Sequence, residues 1–73
     1  MTTHHTSRSR ADLDLNHLKR GAVYRAETSA GTSIGEYLGM EHDYGSRAVL
    51  LRNAAGTDSI DRRYLRSIVL VAA

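Results

Sequence analysis

Arg47-Ala48-Val49-Leu50-Leu51-Arg52-Asn53 is the stretch that decides the fold. A short apolar run fenced by arginines is too brief for a helix and suits a buried strand. On its C-terminal side, Ala54-Ala55-Gly56-Thr57-Asp58 is a turn cluster. Ser59-Ile60-Asp61 reads as a short fourth strand, and Arg62-Arg63-Tyr64-Leu65-Arg66 as one tight helical turn or corner. Ser67-Ile68-Val69-Leu70-Val71 is a fifth strand. On the N-terminal side, His42 to Ser46 is a turn and Ser33 to Glu41 a second strand. Ser29 to Thr32 turns again, and Ala22 to Thr28 is the first strand.

The period-two pattern sets the faces. Ala22, Tyr24 and Ala26 share one face of the first strand, which makes Tyr24 a core residue. Ile34, Leu38 and Met40 share a face of the second, with Gly35 and Gly39 opposite. On that reading Tyr37 is exposed or at an interface. Glycines inside a strand mark bulges or sharp bends, which a small barrel needs to close.

Ahead of the strands, Ala11 to Arg20 is predicted to be a short helix. Asp12 or Asp14 caps it, Leu15 and Leu18 line one face, and Gly21 stops it. A helix this short must dock its leucines to persist. Met1 to Arg10 is expected to be a flexible tail, leaving residues 11–73 as one domain. The expected fold class is therefore mainly β: a short N-terminal helix, then a strongly bent, five-stranded small β-barrel.

The chain has 73 residues, no cysteine and no proline. Disulfides and thiolate zinc sites are excluded, so stability must come from packing or self-association. No stretch approaches the roughly 20 apolar residues of a membrane span. The expectation is a soluble, cytoplasmic protein that does not enter a membrane. Net charge is +2, and nine of the ten basic residues are Arg. The acids Glu27, Glu36, Glu41 and Asp43 gather in the middle, between two Arg-bearing segments. Arg suits phosphate and base-edge recognition, although codon usage in a GC-rich genome produces the same enrichment.

A helix followed by five short, bent strands resembles the order of Sm-like proteins. Ala48 to Asn53 resembles the third strand of the bacterial Sm-like (Hfq) family, including its terminal basic-Asn pair, Arg52-Asn53. Arg62 to Val69 resembles that family's short basic corner and last strand. Gly31 and Gly35 resemble the glycines flanking the start of its second strand, one residue closer together here. The resemblance implies that Arg62 and Arg63 form an RNA-facing basic pair. A Src-homology-3-like barrel shares the strand pattern.

For catalysis the sequence offers little. There is no metal-ligand spacing on the helix and no nucleophile motif, so no catalytic residue, metal or cofactor is expected. His42 lies between Glu41 and Asp43, an arrangement found at proton-transfer sites and more commonly in solvated turns. His17 reads as an ordinary helix residue. His4 and His5 read first as part of a polar tail; with Met1 removed, His4 becomes the third residue, and its imidazole could join the free amine and two amides in a square-planar copper or nickel site.

Two functions from different classes follow. In the first, the protein is a regulatory, Sm-like binder of nucleic acid, single-stranded RNA ahead of DNA. Arg62, Arg63, Tyr64, Arg66, Tyr44 and Asn53 form its site. The apolar fifth strand, residues 67–71, wants burial on both faces and has a free edge. It is expected to pair with a neighbour's fourth strand in a homo-oligomer. In the second, the chain is a Src-homology-3-like protein-interaction module without nucleic-acid binding. Its partner would dock on the edge strand or on the acidic surface of residues 36–43.

Overall fold

A computed structural model of the protein describes residues 15–43 and 46–73. They form one antiparallel sheet of five strands: β1 (Val23–Thr28), β2 (Gly31–Asp43), β3 (Ser46–Asn53), β4 (Gly56–Asp61) and β5 (Leu65–Ala72). The spatial order is β4-β3-β2-β1-β5. Arg62–Tyr64 is a single 3-10 turn between β4 and β5. Strands β1 to β4 follow one another as hairpins, and β5 returns to lie beside β1.

The expected period-two pattern holds along β1: Ala22, Tyr24 and Ala26 are all buried. On β3, Val49 and Leu51 are fully buried and form the centre of the core, with Ile60 of β4 and Leu65 of β5 against them. Fully burying each such side chain contributes about 1.5–3 kcal/mol. The fourth strand is longer than Ser59 to Asp61, and the second starts earlier, at Gly31, and runs on through Asp43.

Strand β2 departs from the expected faces. Tyr37 is buried and meets Tyr24 edge-to-face, with ring centroids 6.1 Å apart. Ile34 is 48% exposed. The reason is a bulge. Tyr37 pairs with Leu51 and Gly39 with Leu50, so Leu38 is the extra residue and has no partner on β3. One added residue reverses the alternation. Before it, Gly35 and Tyr37 face inward; after it, Met40 packs against the core. Gly39 takes φ +134°, a backbone state that side chains disfavour, and so accommodates the irregularity. The side chain of Arg20 lies over it, 3.1 Å from where a Cβ would stand. Gly35 faces the backbone of Arg52 so closely that there is no room for a methyl group.

The predicted helix is not seen where the chain is described. Its first residues, 11–14, lie outside the described residues, as do the tail and Tyr44. Leu15 to Gly21 is a series of turns. The Lys19 N–H, which a helix would direct to the carbonyl four residues back, donates instead to the Tyr24 hydroxyl at 2.9 Å. The Ala22 N–H closes a tight turn on the Lys19 carbonyl at 3.1 Å. Leu15 is buried and Leu18 partly so, so these leucines do dock on the sheet.

The sheet is not closed into a barrel. Strands β4 and β5 are its two edges and do not pair with each other. The 3-10 corner turns the chain away from β4 and delivers it to β1, where Ile68 meets Ala26 and Val69 meets Arg25. Val69, Leu70 and Val71 of β5 remain about half exposed. Among the described residues no helix is long and apolar enough to cross a membrane.

Candidate nucleic-acid interface

The corner is built by Asp61. Its backbone is extended, and its carboxylate accepts the Arg63 N–H at 2.9 Å, capping the 3-10 turn. The same carboxylate takes the Arg63 guanidinium in two-pronged fashion, Nε to Oδ1 at 3.2 Å and Nη2 to Oδ2 at 2.9 Å. The side-chain bonds from Arg63, then its backbone bond, hold the Asp61 carboxyl below the usual carboxylate range. The paired Asp61 in turn raises the pKa of Arg63. Leu65 anchors the end of the turn in the core, and its N–H donates to the Arg62 carbonyl.

This geometry presents Tyr64. The ring is 52% exposed, and the Arg63 guanidinium carbon lies 5.5 Å from its centroid, a cation–π distance. The Tyr64 carbonyl accepts the Ser29 N–H at 3.0 Å, tying the corner to the β1–β2 turn. Arg62 and Arg66 are exposed on either side of the ring in sequence. Arg66 is the extra residue of a second irregularity: Glu27 pairs with Ser67 and Thr28 with Leu65, so Arg66 has no partner on β1.

Of the six residues the sequence nominates, four therefore sit together: Arg62, Arg63, Tyr64 and Arg66. Asn53 does not join them. It lies at the other end of β4, opposite Gly56, about 16 Å from Asp61 at roughly 3.3 Å per residue. Its amide is engaged there, donating to the Ile34 carbonyl at 3.1 Å and accepting from the Ala55 N–H at 2.9 Å. Asn53 thus shapes the β3–β4 turn. Tyr44 lies outside the described residues.

Pairing brings in a residue the sequence did not single out. Asp61 stands opposite Ala48, so exposed Arg47 falls at the corner's end of the sheet. Only the strand register carries this information. The acidic middle is partly spoken for. Glu36 pairs with Arg52 at 2.7 Å across β2 and β3, and Glu41 accepts the Ser59 hydroxyl at 3.1 Å.

A cleft of about 570 Å³ opens between the β1–β2 turn and β4. Thr28, Thr32, Ser33, Asp58, Asp61 and Tyr64 contribute to its lining. Ser33 donates to the Asp58 carboxylate at 2.6 Å. No cluster of three or more potential metal ligands occurs among the described residues. No family model matches the chain, nor does any curated protein or solved structure compared with it.

Proposed function

We propose that the protein binds single-stranded nucleic acid, RNA ahead of DNA, as an Sm-like regulatory homo-oligomer. The observation that carries this reading is the corner. It combines a half-exposed aromatic ring, braced by one arginine, with two further exposed arginines beside it. Stacking on an aromatic side chain and neutralisation of backbone phosphates are the two requirements of single-strand binding. Tyr64 stacks on a base, and Arg62 and Arg66 contact phosphates. Arg63 is committed to Asp61 and orients the ring. Tyr44 is a second stacking residue in this reading. The oligomer forms by pairing β5, residues 67–71, with β4 of a neighbour. Two open edges and the half-exposed Val69, Leu70 and Val71 support that pairing.

The test is anisotropy of a labelled single-stranded RNA titrated with the protein at several salt concentrations. Arg62→Ala/Arg66→Ala is expected to weaken binding and to flatten the dependence of log K on log salt by about 1.4, each lost phosphate contact removing about 0.7. Unchanged affinity and slope remove the corner from the site.

One observation favours a protein partner instead, in a Src-homology-3-like interaction module. Ile34, Arg25 and Val69 stand side by side across β2, β1 and β5, giving a sheet face with exposed apolar residues. Native mass spectrometry before and after nuclease and high salt separates the two readings. Mass removed by nuclease supports nucleic acid; a clean protein with no affinity for RNA supports the module.

A further inference from the structure

The corner's arginines deal with phosphate, but the adjoining cleft has a different chemistry. The hydroxyls of Thr28, Thr32 and Ser33 in its lining already have acceptors within the protein. Ser33 spends its proton on Asp58, Thr28 spends its own on the Gly31 carbonyl, and Thr32 spends its own on Glu27. What these hydroxyls have left to offer a ligand is lone pairs. Asp58 adds a carboxylate that only accepts. Tyr64 contributes an aromatic ring to the lining, and the bond from Ser29 N–H to the Tyr64 carbonyl ties it to the β1–β2 turn. At about 570 Å³ the cleft is within the range of small-ligand sites. An acceptor-lined slot with a stacking ring selects a flat ligand whose edge carries N–H donors. It disfavours phosphate, which the Asp58 carboxylate repels.

We propose that this cleft holds one unstacked guanine base of the bound strand, its ring against Tyr64 and its Watson–Crick edge toward Asp58. Guanine alone among the common bases presents two adjacent donors there, N1–H and the N2 amino group, which match the two oxygens of a carboxylate. Uracil offers one donor between two carbonyls and meets repulsion from the same wall. Cytosine and adenine offer a single amino group. The phosphates then leave the cleft toward Arg62 and Arg66. This inference rests on the nucleic-acid reading and adds a base preference to the phosphate contacts of Arg62 and Arg66.

The experiment titrates the full-length protein with GMP, AMP, CMP and UMP, followed by amide NMR, and with guanine- and uracil-containing single-stranded RNAs by anisotropy. The expected result is GMP-dependent shifts at Ser33, Asp58 and Tyr64, with GMP bound at least several-fold tighter than UMP. Asp58→Asn is expected to reduce the guanine preference about tenfold, the scale of one good bidentate pair, while leaving the salt slope unchanged. RNA binding that is sensitive to Arg62 and Arg66 but indifferent to base, with no shifts in the cleft, overturns the cleft assignment and leaves the corner standing. No response to any nucleotide or RNA overturns both. The wild-type titration decides the matter even if the variant fails to fold.

Discussion

Gly35→Ala isolates the sharpest packing constraint in the sheet. A methyl group at this position would lie 2.6 Å from the Arg52 carbonyl oxygen, 2.9 Å from its carbon and 3.0 Å from its nitrogen. Carbon atoms in contact prefer about 3.5–4.0 Å, so β2 and β3 must separate by roughly 0.6 Å or more. All three obstacles are backbone atoms, and the neighbouring Glu36 and Arg52 are paired in the ladder, so no side chain can swing aside. Overpacking of this kind costs about 1–3 kcal/mol, and a backbone clash falls toward the upper end. Alanine recovers about 0.4–1 kcal/mol by stiffening the unfolded chain, leaving a net loss near 2 kcal/mol. A domain of this size has only about 3–9 kcal/mol in total. Urea unfolding followed by far-UV circular dichroism is expected to show that loss, with Tm lower by about 8–16 °C. Arg52→Ala on the same background is expected not to relieve it, because the clash is with backbone. A Gly35→Ala protein as stable as the wild type, or one rescued by Arg52→Ala, refutes the close approach.

Other expectations concern the core, the N-terminal segment and the corner. Leu51→Ala removes a fully buried side chain at the centre of the sheet and is expected to cost about 2–5 kcal/mol, read from the same urea curves. Tyr24→Phe deprives the Lys19 N–H of its acceptor. A loss of about 1 kcal/mol should come with faster amide hydrogen exchange at Lys19. The Asp61 carboxyl, followed by carbon NMR, is expected to titrate below the usual carboxylate range, and Arg63→Ala should return it toward that range. Its pKa is lowered by folding, so its contribution to stability is present above the ordinary carboxylate pKa. That contribution is lost as pH falls through the folded value. Val69→Lys puts a charge on the open β5 edge; if that edge joins subunits, native mass spectrometry should show the assembly dissociating.

Much of the strand order was legible in local pattern. The apolar run Val49-Leu50-Leu51, the alternation of Ala22, Tyr24 and Ala26, and the turn-rich segments between them each carry their own signal. The basic corner was legible too, because a single 3-10 turn needs only Asp61 to cap it and Leu65 to anchor it. The faces of β2 were not. Nothing in Tyr37-Leu38-Gly39 states which residue will be left over when β2 meets β3, and that one residue moves Tyr37 into the core and Ile34 out of it.

The cleft was beyond sequence reading for the same reason. Ser33 and Asp58 are 25 residues apart and meet only once the sheet has coiled. Asn53 looked like part of the basic surface because it follows Arg52, yet the hairpin register carries it to the far end of β4. Leu15 to Gly21 has the composition of a helix, but the Tyr24 hydroxyl takes the N–H that a helix would need. By itself the sequence determined the strands, the turns and the corner, since each is set by the preferences of a few adjacent residues. Tertiary structure alone decided which faces are buried, that the sheet stays open at β4 and β5, and which side chains share a surface. Those outcomes depend on pairings between distant segments, where a one-residue shift reverses every side chain beyond it.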